Sequence, residues 1–309
     1  MSQCSVGESQ CMFSFSSGPF SAVALDLDGT ILNNDHNVST LTKATLYDLS
    51  SCGVHIIIVT GRPRQGVKNI EDSLSEYFFQ SSRAVDCSTC TARVRGFHLI
   101  SSNGARIFSP SGNLIYQQNI DSDVVRSIYE RFAGGELADE LLVSVHQTDA
   151  WWISKALPEE WLLKKYGSLP RVRKDVLSEF PVEGVGKICL RSHDKQLLDR
   201  YQKEADMMFG YSVITVMTSN HGLDIMARGV SKASGLKLVG EILNFDLSRD
   251  VIAFGDSLND KDMLSTVAKG CIMRNGRDEL KELLPHVEVI GGNTEDGVAQ
   301  KLREVFMLN

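Results

Sequence analysis

The chain has 309 residues, a formal net charge of −7 and 42% hydrophobic residues. This length suits two domains of ordinary size or one large one, and the hydrophobic share is sufficient for a core. The negative charge argues against a general nucleic-acid binder, and no apolar run approaches the roughly 18 residues of a membrane span. We therefore expect a soluble protein with neither a nucleic-acid nor a membrane partner.

Two features predict a cytoplasmic location. Residues 1–20 have no Lys or Arg ahead of an apolar stretch, so we expect a flexible extension and no secretory or mitochondrial signal. The seven cysteines are odd in number and scattered, as is typical of reduced thiols. Cys87 and Cys90 form a lone C-x-x-C pair, for which a loop feature is favoured over a redox or metal site.

Apolar runs and helical patterns alternate at the start of the chain. Strands are predicted at 22–25, 54–59 and 97–101, helices at about 39–51 and 64–79, a loop at 81–95 and a hairpin from 106–108 and 114–116. Continuous Val and Ile runs are typical of strands buried on both faces, as in a parallel sheet covered by helices. The pattern predicts strand, helix, strand units.

The pattern changes at about residue 117 and returns after residue 220. The intervening segment has predicted helices at about 121–132, 158–166 and 194–209 and half-polar strands at 141–147, 187–191 and 211–218. Later apolar strands are predicted at 223–226, 251–254, 271–273 and 287–290, with helices at about 231–243, 259–267 and 296–306. Half-polar strands suggest a sheet with one open face. We predict a doubly wound, Rossmann-like α/β domain (21–116 and 221–309) with an inserted α+β domain (117–220).

Four polar clusters each follow a predicted strand of the α/β domain or begin its next helix. They are Asp26 with Asp28, Thr60 with Gly61, Lys232, and the segment 255–260. Singly, each is compatible with a turn, a helix cap or a solvated charge. In open α/β sheets, however, ligands bind at the carboxyl ends of the strands, so the four clusters are predicted to converge.

The converging groups are those that phosphoryl transfer to a carboxylate needs. Asp26 can attack phosphorus, which divides a difficult hydrolysis into two easier steps. Asp26 and Asp256 can hold Mg²⁺, which prefers oxygen ligands. Lys232 can neutralise charge opposite the metal, while Thr60 and nearby backbone N–H groups can bind phosphoryl oxygens. Asp28 is then free to protonate the leaving oxygen and later to activate water.

These residues resemble the four motifs of the haloacid dehalogenase-like (HAD) hydrolases, and more narrowly the Cof-type subfamily (class IIB) with a large inserted cap. The motifs are D-L-D-G-T at 26–30, T-G-R at 60–62, Lys232 and G-D-S-L-N-D at 255–260, and the narrower match rests on S-N-G-A at 102–105, G-V-S-K at 229–232 and E-D-G-V-A at 295–299. The resemblance spans about residues 21–306. It implies a Mg²⁺-dependent phosphatase for small phosphorylated metabolites such as sugar phosphates.

The resemblance also implies a role for each motif residue. Asp26 would be the nucleophile, Asp28 the acid/base and a metal ligand through its backbone carbonyl, and Asp256 the other metal ligand. The phosphate-binding groups would be the Leu27 N–H, Thr60, Gly61, Lys232 and Asn259, with Asp260, Arg62 and Asn103 in support. The backbone role of Asp28 rests on the resemblance alone.

Two other functions remain open at this point. A phosphosugar mutase uses the same aspartyl-phosphate and similar motifs, and it differs in whether water or a returning sugar phosphate accepts the phosphoryl group. A non-catalytic phosphate-binding module of the same fold would be expected to lack Asp26, Asp28 or Lys232, and all three are present.

The inserted domain is expected to select the substrate, but its charged residues form no clear site. We interpret its basic residues as a solvated face in preference to an anion site; they are Lys164, Lys165, Arg171, Arg173 and Lys174. Core packing is favoured for at least two of Trp151, Trp152 and Trp161. After the fourth motif, Arg274 and Arg277 stand where the family more usually has small residues.

Overall fold

The computed structural model describes residues 18–84, 96–134 and 140–308 of the chain. Its strands are β1 (Ala22–Leu25), β2 (His55–Val59), β3 (Phe97–Ser101), β4 (Arg106–Phe108), β5 (Leu114–Gln117), β6 (Leu142–His146), β7 (Trp151–Ile153), β8 (Arg171–Val172), β9 (Lys187–Arg191), β10 (Val213–Ser219), β11 (Gly222–Ala227), β12 (Val251–Gly255), β13 (Lys269–Met273) and β14 (Glu288–Ile290).

The α-helices are α1 (Thr40–Ser51), α2 (Lys68–Ala84), α3 (Ser122–Phe132), α4 (Glu159–Tyr166), α5 (Val176–Glu179), α6 (Lys195–Phe209), α7 (Lys232–Leu243), α8 (Leu247–Asp250), α9 (Lys261–Thr266), α10 (Asp278–Leu283) and α11 (Gly297–Phe306). Short 3₁₀ turns cover Arg64–Val67, Ser102–Gly104, Leu258–Asp260 and Asn293–Glu295.

The larger sheet has the strand order β14-β13-β12-β1-β2-β3-β4-β5. Neighbours from β14 to β3 run parallel, and β4 and β5 add an antiparallel edge. All residues of β1 and β12 are buried, as expected for strands with helices on both faces. The predicted doubly wound α/β fold is therefore confirmed.

Alternate residues of the central strand β1 enter two different cores. Val23 and Leu25 pack in a cluster that includes residues of α1, α2 and α11. Ala22 and Ala24 pack in a second cluster, which includes residues of α7, α9 and α10. Because side chains of a strand alternate between faces, each face of β1 is closed by its own helices. The carboxyl end of β1 is left at the edge, where Asp26 follows.

The smaller sheet has the order β10-β11-β9-β6-β7-β8 and packs against α3 and α6 in a third apolar cluster. The prediction that residues 223–226 belong to the α/β domain was wrong, because β11 pairs with β9 and β10 of this sheet. All six residues of β11 are buried. Its predicted residues 223–226 are apolar except for Asp224, and a short apolar run fits either sheet.

Several short elements were not predicted. They are β7, β8, α5, α8 and α10, each six residues or shorter, and such elements show no clear period. Helix α2 continues to Ala84, so the first part of the predicted loop at 81–95 is helical. The rest of that loop, with Cys87 and Cys90, and residues 1–17 lie outside the described residues. Within the described ranges, no helix combines the length and apolar character of a membrane span.

Gly104 lies against Ser231, and this contact between distant parts of the chain can be tested by mutation. Its φ is +107°, and an added Cβ would overlap the backbone oxygen of Ser231, the N-cap of α7. Gly53 also has positive φ, at +88°, but an added Cβ there meets nothing within 4 Å. We expect Gly104→Ala to lower the free energy of unfolding by about 1–3 kcal/mol more than Gly53→Ala, measured by urea denaturation. Equal losses would show that backbone conformation alone, and not the contact with Ser231, sets the requirement.

Candidate active site

Asp26 lies directly after β1 and is held at both carboxylate oxygens. Its Oδ1 accepts a hydrogen bond from Lys232 Nζ at 2.6 Å, and its Oδ2 accepts one from the Thr30 hydroxyl at 3.1 Å. The Asp26 residue is only 5% exposed. Two contacts and burial therefore fix the orientation of this carboxylate.

Lys232 connects Asp26 to the loop after β12. Its Nζ also donates to Asp260 Oδ1 at 2.6 Å, while Asp260 Oδ2 accepts from the backbone N–H groups of Asp256 and Ser257 at 3.0 Å each. Burial lowers the pKa of Lys232, but the charges of Asp26 and Asp260 outweigh it and raise this pKa above its ordinary value. Lys232 is therefore a permanent ammonium between two carboxylates.

Asp256 adds a third carboxylate to this group. Ligand oxygens of Asp26, Asp256 and Asp260 all lie within 4.8 Å of one another. Burial raises the pKa of Asp26 to about 7, and burial with the charges of Asp26 and Asp260 raises that of Asp256 well above its ordinary value. Gly29 permits this approach, because its φ is +76° and a Cβ there would overlap Asp256 Oδ2. The cluster has three carboxylates and one ammonium, Lys232, and such an arrangement of like charges favours a bound cation.

Asp28 makes a two-point contact with Arg62. Arg62 donates from Nε to Asp28 Oδ2 at 2.7 Å and from Nη2 to Oδ1 at 2.6 Å. Desolvation raises the pKa of Asp28, but the Arg62 contact outweighs it and leaves this pKa below its ordinary value. Arg62 Nη1 also donates to the Lys165 carbonyl at 2.6 Å, and its guanidinium lies 4.8 Å from the centroid of the Tyr166 ring. Arg62 thus joins Asp28 to α4.

Thr60 and Gly61 follow β2 at the same edge of the sheet as Asp26. Thr60 Oγ1 accepts from the backbone N–H of Arg62 at 3.1 Å, which closes a tight turn. The Gly61 carbonyl accepts from Lys187 Nζ at 2.7 Å. This turn is therefore fastened from the smaller sheet, through a lysine of β9.

Lys187 and Asp224 belong to a buried polar network that was not predicted. Lys187 Nζ donates to Asp224 Oδ2 at 2.6 Å, and Asn103 Nδ2 donates to the same oxygen at 2.8 Å. Asn103 Oδ1 in turn accepts from Asn259 Nδ2 at 3.0 Å. The available signals were Asp224 within an apolar run and Lys187 next to the apolar residues 188–190, since such charges are unusual in buried strands unless they are paired.

These groups surround a cavity of about 400 Å³ between the two sheets. Seven of the predicted site residues line it, namely Asp26, Asp28, Thr60, Gly61, Arg62, Asp256 and Asn259. The other four are buried behind that wall; they are Leu27, Lys232, Asp260 and Asn103. All the predicted site residues therefore come together within one region.

The inserted segment supplies the opposite wall of the cavity. Lys164, Arg171, Arg173 and Lys174 are exposed, as predicted for a solvated face. For Lys165 that prediction was wrong, because it is half-buried and lines the cavity together with Arg191. Trp151 and Trp152 pack in apolar clusters, as predicted, although Trp151 also faces the cavity.

Two arginines after the fourth motif make contacts away from the cavity. Arg274 pairs with Glu295, and Arg277 pairs with Glu279 and donates to Asn220 Oδ1 at 3.3 Å. Neither belongs to the cavity lining found among the described residues. Arg277 instead joins the loop after β13 to the turn between β10 and β11.

Comparison with known proteins identifies the family of this chain. Residues 23–302 match the family model of the haloacid dehalogenase-like hydrolases. A presumed phosphatase from Haemophilus influenzae is 32% identical over 291 residues, which cover 94% of this chain and 98% of the relative. The chain therefore belongs to the haloacid dehalogenase-like hydrolases.

Two further similarities agree with this assignment. An HMP-PP phosphatase from Yersinia pestis is 26% identical over 279 residues, covering 90% of this hydrolase and 93% of the relative. The solved structure of a haloacid dehalogenase-like hydrolase from B. subtilis has a TM-score of 0.76 at 24% identity, covering 92% of this chain and 99% of that one. The protein is an enzyme of this family, a phosphoric monoester hydrolase, as the motifs predicted.

The Lys187→Met variant tests how much the buried network contributes to the stability of this hydrolase. Both side chains of the Lys187–Asp224 pair are 3% exposed, so Lys187→Met leaves a buried carboxylate without its cation. We expect a loss of about 3–5 kcal/mol in the free energy of unfolding. The control is Lys195→Met, which breaks an exposed pair with Asp199 and should cost about 1 kcal/mol or less. Similar denaturation midpoints for the two variants would contradict a structural role for the buried pair.

Proposed function

We propose that this hydrolase is a Mg²⁺-dependent phosphatase that cleaves small phosphate monoesters through an aspartyl-phosphate on Asp26. One arrangement carries the proposal. The Asp26 carboxylate is oriented by Lys232 and Thr30 at the cavity wall. Beside it lies Asp256, whose side chain accepts no hydrogen bond from the described part of the chain. A fixed nucleophile thus lies next to a carboxylate that needs a cation.

The acidic cluster fits Mg²⁺ by its donor atoms and its charge. Asp26 and Asp256 would hold the ion through carboxylate oxygens, and the resemblance adds the backbone carbonyl of Asp28. Asp260 is already engaged by Lys232 and two backbone N–H groups, so it supports the loop and is not free to bind. A bound Mg²⁺ would supply the positive charge that lets an anionic phosphate approach an anionic carboxylate.

In the first step, the Asp26 carboxylate attacks phosphorus and the bond from phosphorus to the leaving oxygen breaks. The products are an alcohol and phosphorylated Asp26. Lys232, Thr60 and the backbone N–H groups near them can donate to phosphoryl oxygens as charge moves onto them. In the second step, water attacks the same phosphorus, which releases phosphate and restores the carboxylate.

In this proposal Asp28 protonates the leaving oxygen and later removes a proton from water. Its contact with Arg62 affects these two tasks differently. Paired with Arg62, Asp28 is an anion, which suits removal of a proton from the attacking water. Protonation of the leaving oxygen needs the neutral acid, and the Arg62 contact opposes that form. The acid step therefore requires the Arg62–Asp28 contact to loosen, and the Arg62–Lys165 hydrogen bond makes this contact sensitive to the position of α4.

The cavity volume favours small metabolites as substrates. About 400 Å³ lies at the lower end of the range for small-molecule sites, roughly 300–1,000 Å³. Phosphorylated sugars and molecules of similar size fit this volume, whereas a folded protein or a nucleic acid does not.

Asp26→Asn tests the nucleophile. The amide cannot form an acyl phosphate, so kcat for p-nitrophenyl phosphate should fall by at least about a thousandfold. Asp72→Asn is the control, because it neutralises an exposed aspartate whose ion pair is with the exposed Lys68 of the same helix. Circular dichroism should show the same fold for both variants. Substantial turnover by folded Asp26→Asn would refute the assignment.

Asp256→Asn tests the metal site without relying on activity. In metal-free buffer we expect the variant to be at least as stable as the wild type, because one of three crowded carboxylates is removed. Mg²⁺ at about 100 times its Kd should stabilise the wild type by about 2–3 kcal/mol and the variant much less. Thermal denaturation with and without Mg²⁺ measures both effects. Equal stabilisation of the two proteins would place the ion elsewhere.

A further inference from the structure

Within the described residues, most charged side chains that line the cavity are in ion pairs, and the exceptions are the Asp256 carboxylate and two cations. Arg62 is paired with Asp28, and Lys187 with Asp224. For Lys165 and Arg191, which also line the cavity, no ion pair or side-chain hydrogen bond is found within residues 18–84, 96–134 and 140–308. Lys165 is half-buried and Arg191 is exposed, so water can solvate part of both charges. Neither charge is used in an ion pair of the described chain, and both are therefore free to bind an anion in the cavity.

Lys165 is held in place by aromatic rings. Its Nζ lies 5.3 Å from the centroid of the Trp161 ring and 5.5 Å from that of the Tyr166 ring. Burial and the charges of Arg62 and Arg191 lower its pKa, and Asp28 only partly opposes them. The preceding lysine on α4, Lys164, pairs with Asp35 outside the cavity. Two adjacent lysines thus differ in environment, and only the second is directed to the cavity.

Arg191 is the last residue of β9. The four preceding residues of this strand are buried, whereas Arg191 is exposed. Its guanidinium carries five N–H donors, and it lies close enough to Lys165 for the two charges to influence each other. A guanidinium of this kind matches the planar oxygens of a carboxylate or the oxygens of a phosphate.

The charge in the cavity is therefore divided between its two walls. The wall from the larger sheet carries the carboxylate without an ion-pair partner in the described chain, Asp256, beside the nucleophile Asp26. The wall from the inserted segment carries the two cations without an ion-pair partner in the described chain, Lys165 and Arg191. A substrate that places one phosphate at Asp26 directs its leaving group towards these cations.

We propose that Lys165 and Arg191 form an anion-binding subsite, and that the preferred substrates carry a second anionic group, a carboxylate or a phosphate, on the leaving group. This inference rests on the proposed phosphatase function and specifies its substrate class. The subsite binds the part of the substrate that is not cleaved, so Lys165 and Arg191 are specificity-determining and not catalytic residues.

Matched substrate pairs test the subsite. Glycerol 3-phosphate and 3-phosphoglycerate differ by one carboxylate near the phosphate, and the open-chain compounds sorbitol 6-phosphate and 6-phosphogluconate differ by one carboxylate at a greater distance. In at least one pair, we expect the wild type to favour the carboxylate member by about tenfold or more in kcat/KM. Arg191→Gln and Lys165→Met should each remove most of that preference, chiefly by raising KM for the carboxylate member.

Two further variants separate this effect from general damage. Arg191→Lys keeps the charge and should retain part of the preference. Arg171→Gln removes an exposed cation of the same segment, whose guanidinium lies 5.1 Å from the centroid of the Trp152 ring and away from the cavity, and should keep all of it.

The outcomes distinguish this inference from the function on which it rests. If the wild type hydrolyses none of the four compounds and no aryl phosphate, the proposed phosphatase function fails. If it hydrolyses both members of each pair equally, or if Arg191→Gln lowers kcat/KM for both members by the same factor, the phosphatase stands and the anion-binding subsite is refuted.

Discussion

The Lys232 ammonium, buried between the carboxylates of Asp26 and Asp260, is the interaction on which the site depends. These charges are costly to bury unless each compensates the other. Lys232 and Asp26 are 206 positions apart, and they meet because β1 and β12 are neighbours while α7 begins beside them. The same arrangement sets three carboxylates against one ammonium. The structural ion pair and the proposed metal site are thus parts of one charge distribution.

A second constraint comes from two cations that join the larger sheet to the inserted segment. Arg62 reaches from the turn after β2 to the carbonyl of Lys165, and Lys187 reaches from β9 back to the carbonyl of Gly61. Both side chains are buried and each is also paired with an aspartate. The inserted segment is therefore bonded to the residues that are proposed to bind phosphate and carry the proton. A change in the position of the inserted segment would therefore alter the contacts of these residues as well as access to the cavity.

The two walls of the cavity were not equally predictable. The wall from the larger sheet follows from continuous apolar strands that end in polar clusters, because parallel strands present their carboxyl ends at one edge. The opposite wall offers no such rule. Lys165 lies in a basic run on an amphipathic helix, and Arg191 ends a mixed strand, so neither pattern distinguishes a cavity-facing cation from a solvated one. β11 was misplaced for a related reason, since an apolar run does not identify its partners.

The amino-acid sequence by itself determined the family, the α/β class and the set of groups near Asp26, because local strand and turn patterns and motif order carry that information. Only the tertiary structure decided which charges pair. Asp28 is bound by Arg62, the Asp256 carboxylate has no hydrogen-bond partner in the described chain, and Arg191 faces the cavity. Pairing depends on separations of a few ångströms between segments distant in the chain, and the residue type alone does not encode those separations.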